Sequence, residues 1–285
     1  AQGLSWRPGD NVVIPDTEYP ANVYPWMNLK DRGVEVRLVP EVGADYPPEQ
    51  IESYVDERTR LVAVSFVQFA SGCRLDLKTI GEMCRRRGIL FLVDAIQGLG
   101  VFPLNVEQMH IDFLSTSTYK WMLGPQGAGL FYIRGDLLDQ VKPVFVGAGS
   151  VRNAEDYLTY DFTPASGARR YESGTIPTIC LAGAQAALGL IEELGLDFIA
   201  VSVLKLTEIL RQEAMAKGWQ IYSPWEPEKR SGILSIFKPG LDSNEARRIL
   251  LKNQIISVVR GGRLRLAPHC YNTPQEMERV IELLP

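Results

Sequence analysis

The sequence predicts an α/β fold: a three-layer, mostly parallel but mixed sheet, followed by a smaller C-terminal α+β unit. Three observations predict it. Short, almost wholly apolar runs bounded by turn residues recur along the first half, helical patterns lie between several of them, and beyond Pro177 the texture changes to long amphipathic helices. Continuous apolar strands alternating with helices belong to sheets that are covered on both faces, and such sheets are mostly parallel.

The predicted strands are Val12–Ile14, Val34–Val39, Leu61–Val67, Ile89–Val93, Ile111–Ser115 and Gly129–Ile133. The clearest helix between them is "LDLKTIGEMCRRRG", where Leu77, Ile80 and Cys84 share one face and Gly88 supplies the stop. After Pro177, "TICLAGAQAALGLIEELG" and "DFIAVSVLKLTEILRQEAMAKG" are too long for simple crossovers. A strand at Ile233–Phe237, a helix at Asn244–Lys252 with Asp242 or Ser243 as N-cap, a strand at Leu264–Ala267 and a last helix from Pro274 follow. The expected division places a large domain at 1–180, and an interdomain helix with the small domain at 181–285.

Composition narrows the function. At 285 residues, 46% hydrophobic and 22% charged, the chain can bury a large core, and disorder is not the default reading for any long segment. Thirty basic against thirty-four acidic residues give a net charge of −4, which offers no electrostatic footprint for nucleic acid or an anionic membrane. Small molecules are the expected partners. Cys73, Cys84, Cys180 and Cys270 form no metal spacing, so they read as reduced, mostly buried thiols of a cytoplasmic protein. No apolar run approaches the ~20 residues of a membrane-spanning helix, and no signal peptide is visible.

Elimination removes several chemistries. His110 and His269 are too few and too far apart for an HExxH or three-histidine metal site, so no metal is expected. There is no GxSxG elbow and no GxxxxGK[ST] phosphate loop, and "GPQGAG" has the wrong spacing for a dinucleotide fingerprint. What remains is a carboxylate and a lysine. Asp94 in "ILFLVDAIQGLG" follows five apolar residues, at the carboxyl edge of a buried strand, where open α/β sheets bind ligands. Capping is the other reading, since Asp94 with Gln97 three residues on has the form of a capping box.

Lys120 lies one strand further, in "STSTYKWMLGPQGAGLFYIR", and the parallel pattern brings it to the same edge as Asp94. Burial penalises a charged lysine, lowers its pKa and makes it a usable nucleophile toward an aldehyde. Such a pair suits pyridoxal phosphate. Lysine holds the cofactor as a Schiff base, and a carboxylate keeps the pyridine nitrogen protonated. The alternative for Lys120 is a solvated loop lysine.

"VDAIQGLG", "STYKWMLGPQGAGLFYI", "YESGT" and "RLRLAPHCYNT" come in the order of the motifs of the class V aminotransferases, and the chain resembles that family from about Pro8 to Pro285. These are fold-type I pyridoxal-phosphate enzymes and include cysteine desulfurases, selenocysteine lyases, kynureninase and isopenicillin N epimerase. The resemblance implies a PLP-dependent enzyme acting on an amino acid, as a transferase or lyase. It makes Lys120 the Schiff-base lysine, Asp94 the partner of the pyridine nitrogen and Gln97 a donor to the phenolic oxygen. Ser117 matches the family's phosphate-binding hydroxyl, and Tyr19 falls where relatives stack an aromatic or histidine on the ring. Thr175 resembles a residue that reaches the neighbouring subunit's cofactor phosphate, which implies a homodimer with shared sites; its other reading is a helix N-cap. Arg265 matches the arginine that clamps the substrate α-carboxylate, with Arg263 as competitor.

Departures qualify the likeness. Tyr119 replaces the histidine that many relatives carry before the lysine, Phe69 stands where desulfurases usually have asparagine, and "ISVVRGGR" holds no catalytic thiol. The persulfide mechanism lacks its nucleophile there. Family members also carry a segment ahead of "GLSWRPGD" that helps hold the phosphate. Without that anchor Ser117 and Thr175 would carry more of its charge, so a cofactor-poor, non-catalytic relative is a rival reading beside a cysteine desulfurase or selenocysteine lyase type of C–S or C–Se lyase.

Overall fold

The computed structural model describes residues 1–285. Six strands, β1 (Asn11–Pro15), β2 (Glu35–Val39), β3 (Thr59–Ser65), β4 (Leu90–Asp94), β5 (Phe113–Ser117) and β6 (Gly129–Ile133), form a sheet in the order β2-β1-β3-β4-β5-β6. All neighbours are parallel except β5 and β6. The exception is dictated by chain length, because residues 118–128 between them are too few for a crossover back to the same edge.

Both faces of this sheet are buried at its centre, along β1 and β3, while the edge strands β2 and β6 stay largely exposed. Val13, Val62, Val64, Phe91 and Val93 enter one core with α3 (Leu77–Arg87), while Val12, Ile14, Leu61 and Ala63 enter another with Trp26 and Leu29. The alternation is the two-residue period of a strand. Asp76 caps α3 by accepting from Thr79 N at 3.1 Å, and Gly88 ends it in the left-handed region at φ 68°. Two short helices, α1 (Tyr24–Met27) and α2 (Pro48–Ser53), fill earlier connections.

Beyond residue 177 run α4 (Thr178–Leu194) and α5 (Leu196–Ala216), then a second, antiparallel sheet in the order β7-β8-β10-β9. Its strands are β7 (Gln220–Ile221), β8 (Leu234–Phe237), β9 (Val258–Arg260) and β10 (Arg263–Leu266). Leu234, Ile236, Leu264 and Leu266 pack on α5, α6 (Ser243–Lys252) and α7 (Pro274–Leu283) in a core of their own. Asp242 caps α6, and Thr273 with Glu276 forms a capping box on α7. No helix is long and apolar enough to cross a membrane.

Most strand boundaries differ from expectation by one or two residues, β3 running Thr59–Ser65 rather than Leu61–Val67. The fifth strand runs Phe113–Ser117 rather than from Ile111, because pairing with β6 carries the polar Ser-Thr-Ser end into the ladder. The two- and three-residue strands β7 and β9 were not expected, being too short to leave a pattern.

Candidate active site

The carboxyl edge of the large sheet gathers the chemistry. Asp94 ends β4, in register with Ser65 of β3 and Ser115 of β5. Lys120 follows β5 by three residues, and Tyr19 follows β1. The chain order places the reversal of the sheet between β1 and β3, and ligands bind outside the strand ends at such a point.

Asp94 and Lys120 stand at one edge, and the charge of each acts on the other. Burial raises the Asp94 pKa, opposed by the Ile96 N–H that Oδ1 accepts at 3.0 Å and by the charge of Lys120. Burial lowers the Lys120 pKa, helped by the charges of Arg265 and Arg260 and opposed by Asp94. The lysine is half-buried, and its Nζ lies 5.7 Å from the centre of the Tyr19 ring and 5.9 Å from that of Tyr119. Tyr19 in turn meets the edge of Phe69 at 5.3 Å.

The helix that a capping reading of Asp94 and Gln97 needs is absent. Residues 96–101 form turns, so that reading is corrected. Gln97 is buried instead against Trp121, whose Nε1 donates to Gln97 Oε1 at 3.0 Å. An indole N–H only donates, so the amide oxygen must face it and the amide NH2 is left free. Trp121 stacks on His269 at 5.3 Å. His269 Nδ1 accepts from Cys270 N at 2.8 Å, which leaves Nε2 to donate to Trp121 O at 3.1 Å and fixes the neutral tautomer.

The two arginines differ in their surroundings. The Arg265 guanidinium donates to the Phe69 carbonyl, its buried Nε has no partner, and burial together with Arg260 pushes its pKa down to about 10. Arg263 lies 3.4 Å from the centre of the Tyr222 ring. Only Arg265 of this pair bears on Lys120.

Ser117 ends β5 and lines an open cavity of ≈ 560 Å³ with Tyr119 and residues 126–129. Gly127 there has φ +93°, and a Cβ on Gly129 would stand 2.8 Å from Thr116 O, so backbone closes tightly behind this wall. Thr175 is not among the residues that line this cavity. It is exposed, and its capping reading is corrected, because α4 starts at Thr178 after Pro177 with no side-chain cap.

Four residues carry geometry that the sequence reading passed over. Glu18, beside Tyr19, is fully buried and accepts from Ser65 N at 2.6 Å, Ser65 Oγ at 2.5 Å and Gln68 Nε2 at 2.8 Å. Its place just after β1, like that of Asp94 at the end of β4, was the available signal. Trp121 and His269 belong to the stack just described, and Arg260 bears on Lys120 and Arg265; none of the three had a pattern to announce it.

The family model of the aminotransferase class V matches residues 1–277. The chain belongs to the class V aminotransferases. A probable cysteine desulfurase of Methanothermobacter thermautotrophicus is 32% identical over 305 residues, covering 100% of this chain and 74% of the relative. An uncharacterized aminotransferase of Bacillus subtilis is 32% identical over 95% of this chain and 71% of its own length. The apo cysteine desulfurase of Thermococcus onnurineus superposes with a TM-score of 0.89 at 26% identity, over 98% of this chain and 72% of that one. A cystine C–S lyase solved with cysteine persulfide gives 0.89 at 25% identity, over 99% and 76%.

This class V member is a PLP-dependent enzyme, and its residues fit the cofactor. A carboxylate disfavoured by burial gains from a cationic ring nitrogen, a lysine disfavoured as a cation is suited to covalent attachment, and Gln97 offers a free amide NH2. The buried, unpartnered Nε of Arg265 in turn suits a carboxylate.

Proposed function

We propose that the enzyme acts on an amino acid, with Lys120 as the attachment point of pyridoxal phosphate and Asp94 facing its ring nitrogen. When bound, the cofactor supplies an electron sink for charge developing at the substrate α-carbon. Gln97 donates its free NH2 to the phenolic oxygen, Tyr19 offers a flat face to the ring, and Ser117 with the tight Gly127–Gly129 backbone receives the phosphate. Arg265 binds and orients the α-carboxylate; its planar fork is anchored on the Phe69 carbonyl. Lys120, held below its ordinary pKa, is suited to take the α-proton at Nζ and return it.

The observation that carries this reading is geometric: Asp94 ends β4 beside β5, Lys120 follows β5 by three residues at the same sheet edge, and its Nζ lies 5.7 Å from the centre of the Tyr19 ring. Borohydride reduction of the yellow protein followed by peptide mapping tests it. The label is expected on Lys120 and is expected to vanish in Lys120→Ala; a label elsewhere refutes the assignment.

A second reading, C–S bond cleavage, is favoured by the relatives named cysteine desulfurase and cystine C–S lyase. It would proceed without an enzyme-borne persulfide on the loop before Arg265, since residues 255–263 contain no cysteine. Sulfide release that survives replacement of all four cysteines would distinguish this lyase chemistry.

The homodimer belongs to this proposal. Phe145, Leu158 and Tyr160 are 82%, 91% and 96% exposed, with Tyr157, Phe162, Ile176 and Ile179 beside them in sequence. So many bare apolar side chains mark an interface. Thr175 lies in the same region, and an exposed threonine there is free to meet a partner's cofactor phosphate. Sedimentation should give twice the chain mass. The division near residue 180 is supported by the separate core behind the second sheet, and a cytoplasmic location by the unpaired thiols.

A further inference from the structure

Three arginines leave one face of the second sheet. Arg263 and Arg265 stand two apart on β10, so their side chains share a face while Leu264 and Leu266 enter the core behind it. Arg260 on β9 pairs directly with Arg263, which puts it on the same face. The hairpin between them turns on Gly261 and Gly262, at φ 54° and 75°. Like charges held directly opposite each other on paired strands are destabilising. The arrangement therefore needs a compensating charge.

The protein supplies little of it. None of the three guanidiniums lies within 4.0 Å of a carboxylate. Arg263 is covered by the Tyr222 ring, whose hydroxyl bonds Glu41, so a carboxylate stands close behind it. Arg265 has no such relief, and Arg260 has only solvent. Arg265 reaches only the Phe69 carbonyl, and Arg260, exposed, only the Val259 carbonyl at 2.9 Å. Ser235, opposite Arg265 on β8, adds a buried hydroxyl with no partner, as do the Nε atoms of Arg263 and Arg265. Buried polar groups are normally satisfied, so this face lacks the ligand that completes it.

One α-carboxylate cannot complete it. Arg265 takes that group in the reading above, and Arg260 then remains without a counter-ion beside a second cation. We infer that the site selects amino acids bearing a second anionic group on the side chain, with Arg265 on the α-carboxylate and Arg260 on that second oxyanion. The inference deepens the amino-acid reading and rests on it. A side-chain carboxylate meets the requirement; a neutral amide of the same shape leaves Arg260 unpaired.

Spectral titration of the holoprotein with L-aspartate, L-asparagine and L-alanine tests the assignment, and calorimetry on the same pairs gives the ratio without turnover. Aspartate is expected to bind about 10-fold more tightly than asparagine, the range of one charge-assisted contact. Arg260→Gln should bring that ratio below about 2, and Arg260→Lys should keep part of it, since a point charge replaces the fork. Because Arg260 is exposed, neither change threatens the fold. Equal binding of aspartate and asparagine, or a preference that survives Arg260→Gln, overturns the inference while leaving the amino-acid reading intact. A protein that takes up no cofactor, or whose spectrum answers none of the three amino acids, overturns that reading and this inference with it.

Discussion

The Trp121 indole donates to Gln97 Oε1 at 3.0 Å, and this single bond leaves the NH2 end of the Gln97 amide free. Phenylalanine at 121 keeps a ring against His269 but removes the donor, so nothing then holds the amide oxygen away from the cofactor. Loss of the donor to the phenolic oxygen weakens its unprotonated state. The visible chromophore of holo Trp121→Phe should titrate about 0.5 to 1 pH unit higher than that of the wild type. In a Gln97→Ala background the same substitution should add nothing, because both changes remove one contact. Additive shifts would show that Trp121 acts by some other route.

Much of this site was legible in the sequence, and the reason is chemical type. Asp94 and Lys120 are charged residues set against apolar strand ends, a conflict that only a site resolves. Their strands were found by apolar runs alone. Only the family likeness favoured Arg265 over Arg263, since two residues on one strand face differ by what lies across from them, the Phe69 carbonyl for one and the Tyr222 ring for the other. The Asp94–Gln97 spacing pointed to a cap because a capping box is a local pattern; the Trp121 contact that overrides it spans twenty-four residues. Strand β9, which carries Arg260, is three residues long and leaves no periodicity to read.

Asp94 should show opposite effects on stability and activity. Burial raises its pKa, so the ionised carboxylate is disfavoured in the empty fold. Asparagine keeps an oxygen for the Ile96 N–H and removes the charge. Cofactor-free Asp94→Asn should therefore melt about 2 °C higher than the cofactor-free wild type. Holo Asp94→Asn should lose at least about 100-fold in turnover, since the ring nitrogen loses its anionic partner. Calorimetric melting and steady-state rates on the same preparations check both arms; a variant less stable without cofactor would refute the buried-charge argument.

Glu18 anchors the turn that carries Tyr19. Its carboxylate receives three donors from Ser65 and Gln68, all inside the protein. Alanine leaves those donors without an acceptor, and Glu18→Ala should cost about 3 kcal/mol in urea unfolding. Glu18→Gln should cost less, because one oxygen still accepts. If the alanine variant unfolds at the wild-type urea concentration, the bonds around Ser65 do not contribute to stability.

His269 gives the fold a pH dependence with a definite sign. Burial holds its pKa below the ordinary value, against the pull of the Trp121 carbonyl. Between the folded pKa and about 6.5 the unfolded chain therefore binds more protons than the folded one, and stability rises with pH there. The contribution of the neutral ring is whole above about pH 6.5 and is lost as the pH falls toward the folded value. The atoms explain the sign, because protonation puts a hydrogen on Nδ1 where the Cys270 N–H already donates at 2.8 Å. His269→Phe keeps a ring between Trp121 and Tyr271 but cannot titrate. The wild type should lose melting temperature relative to His269→Phe between about pH 7.5 and 5.5, because only the histidine takes up a proton in that window. A difference that stays constant across the window would show that the imidazole keeps an ordinary pKa in the fold.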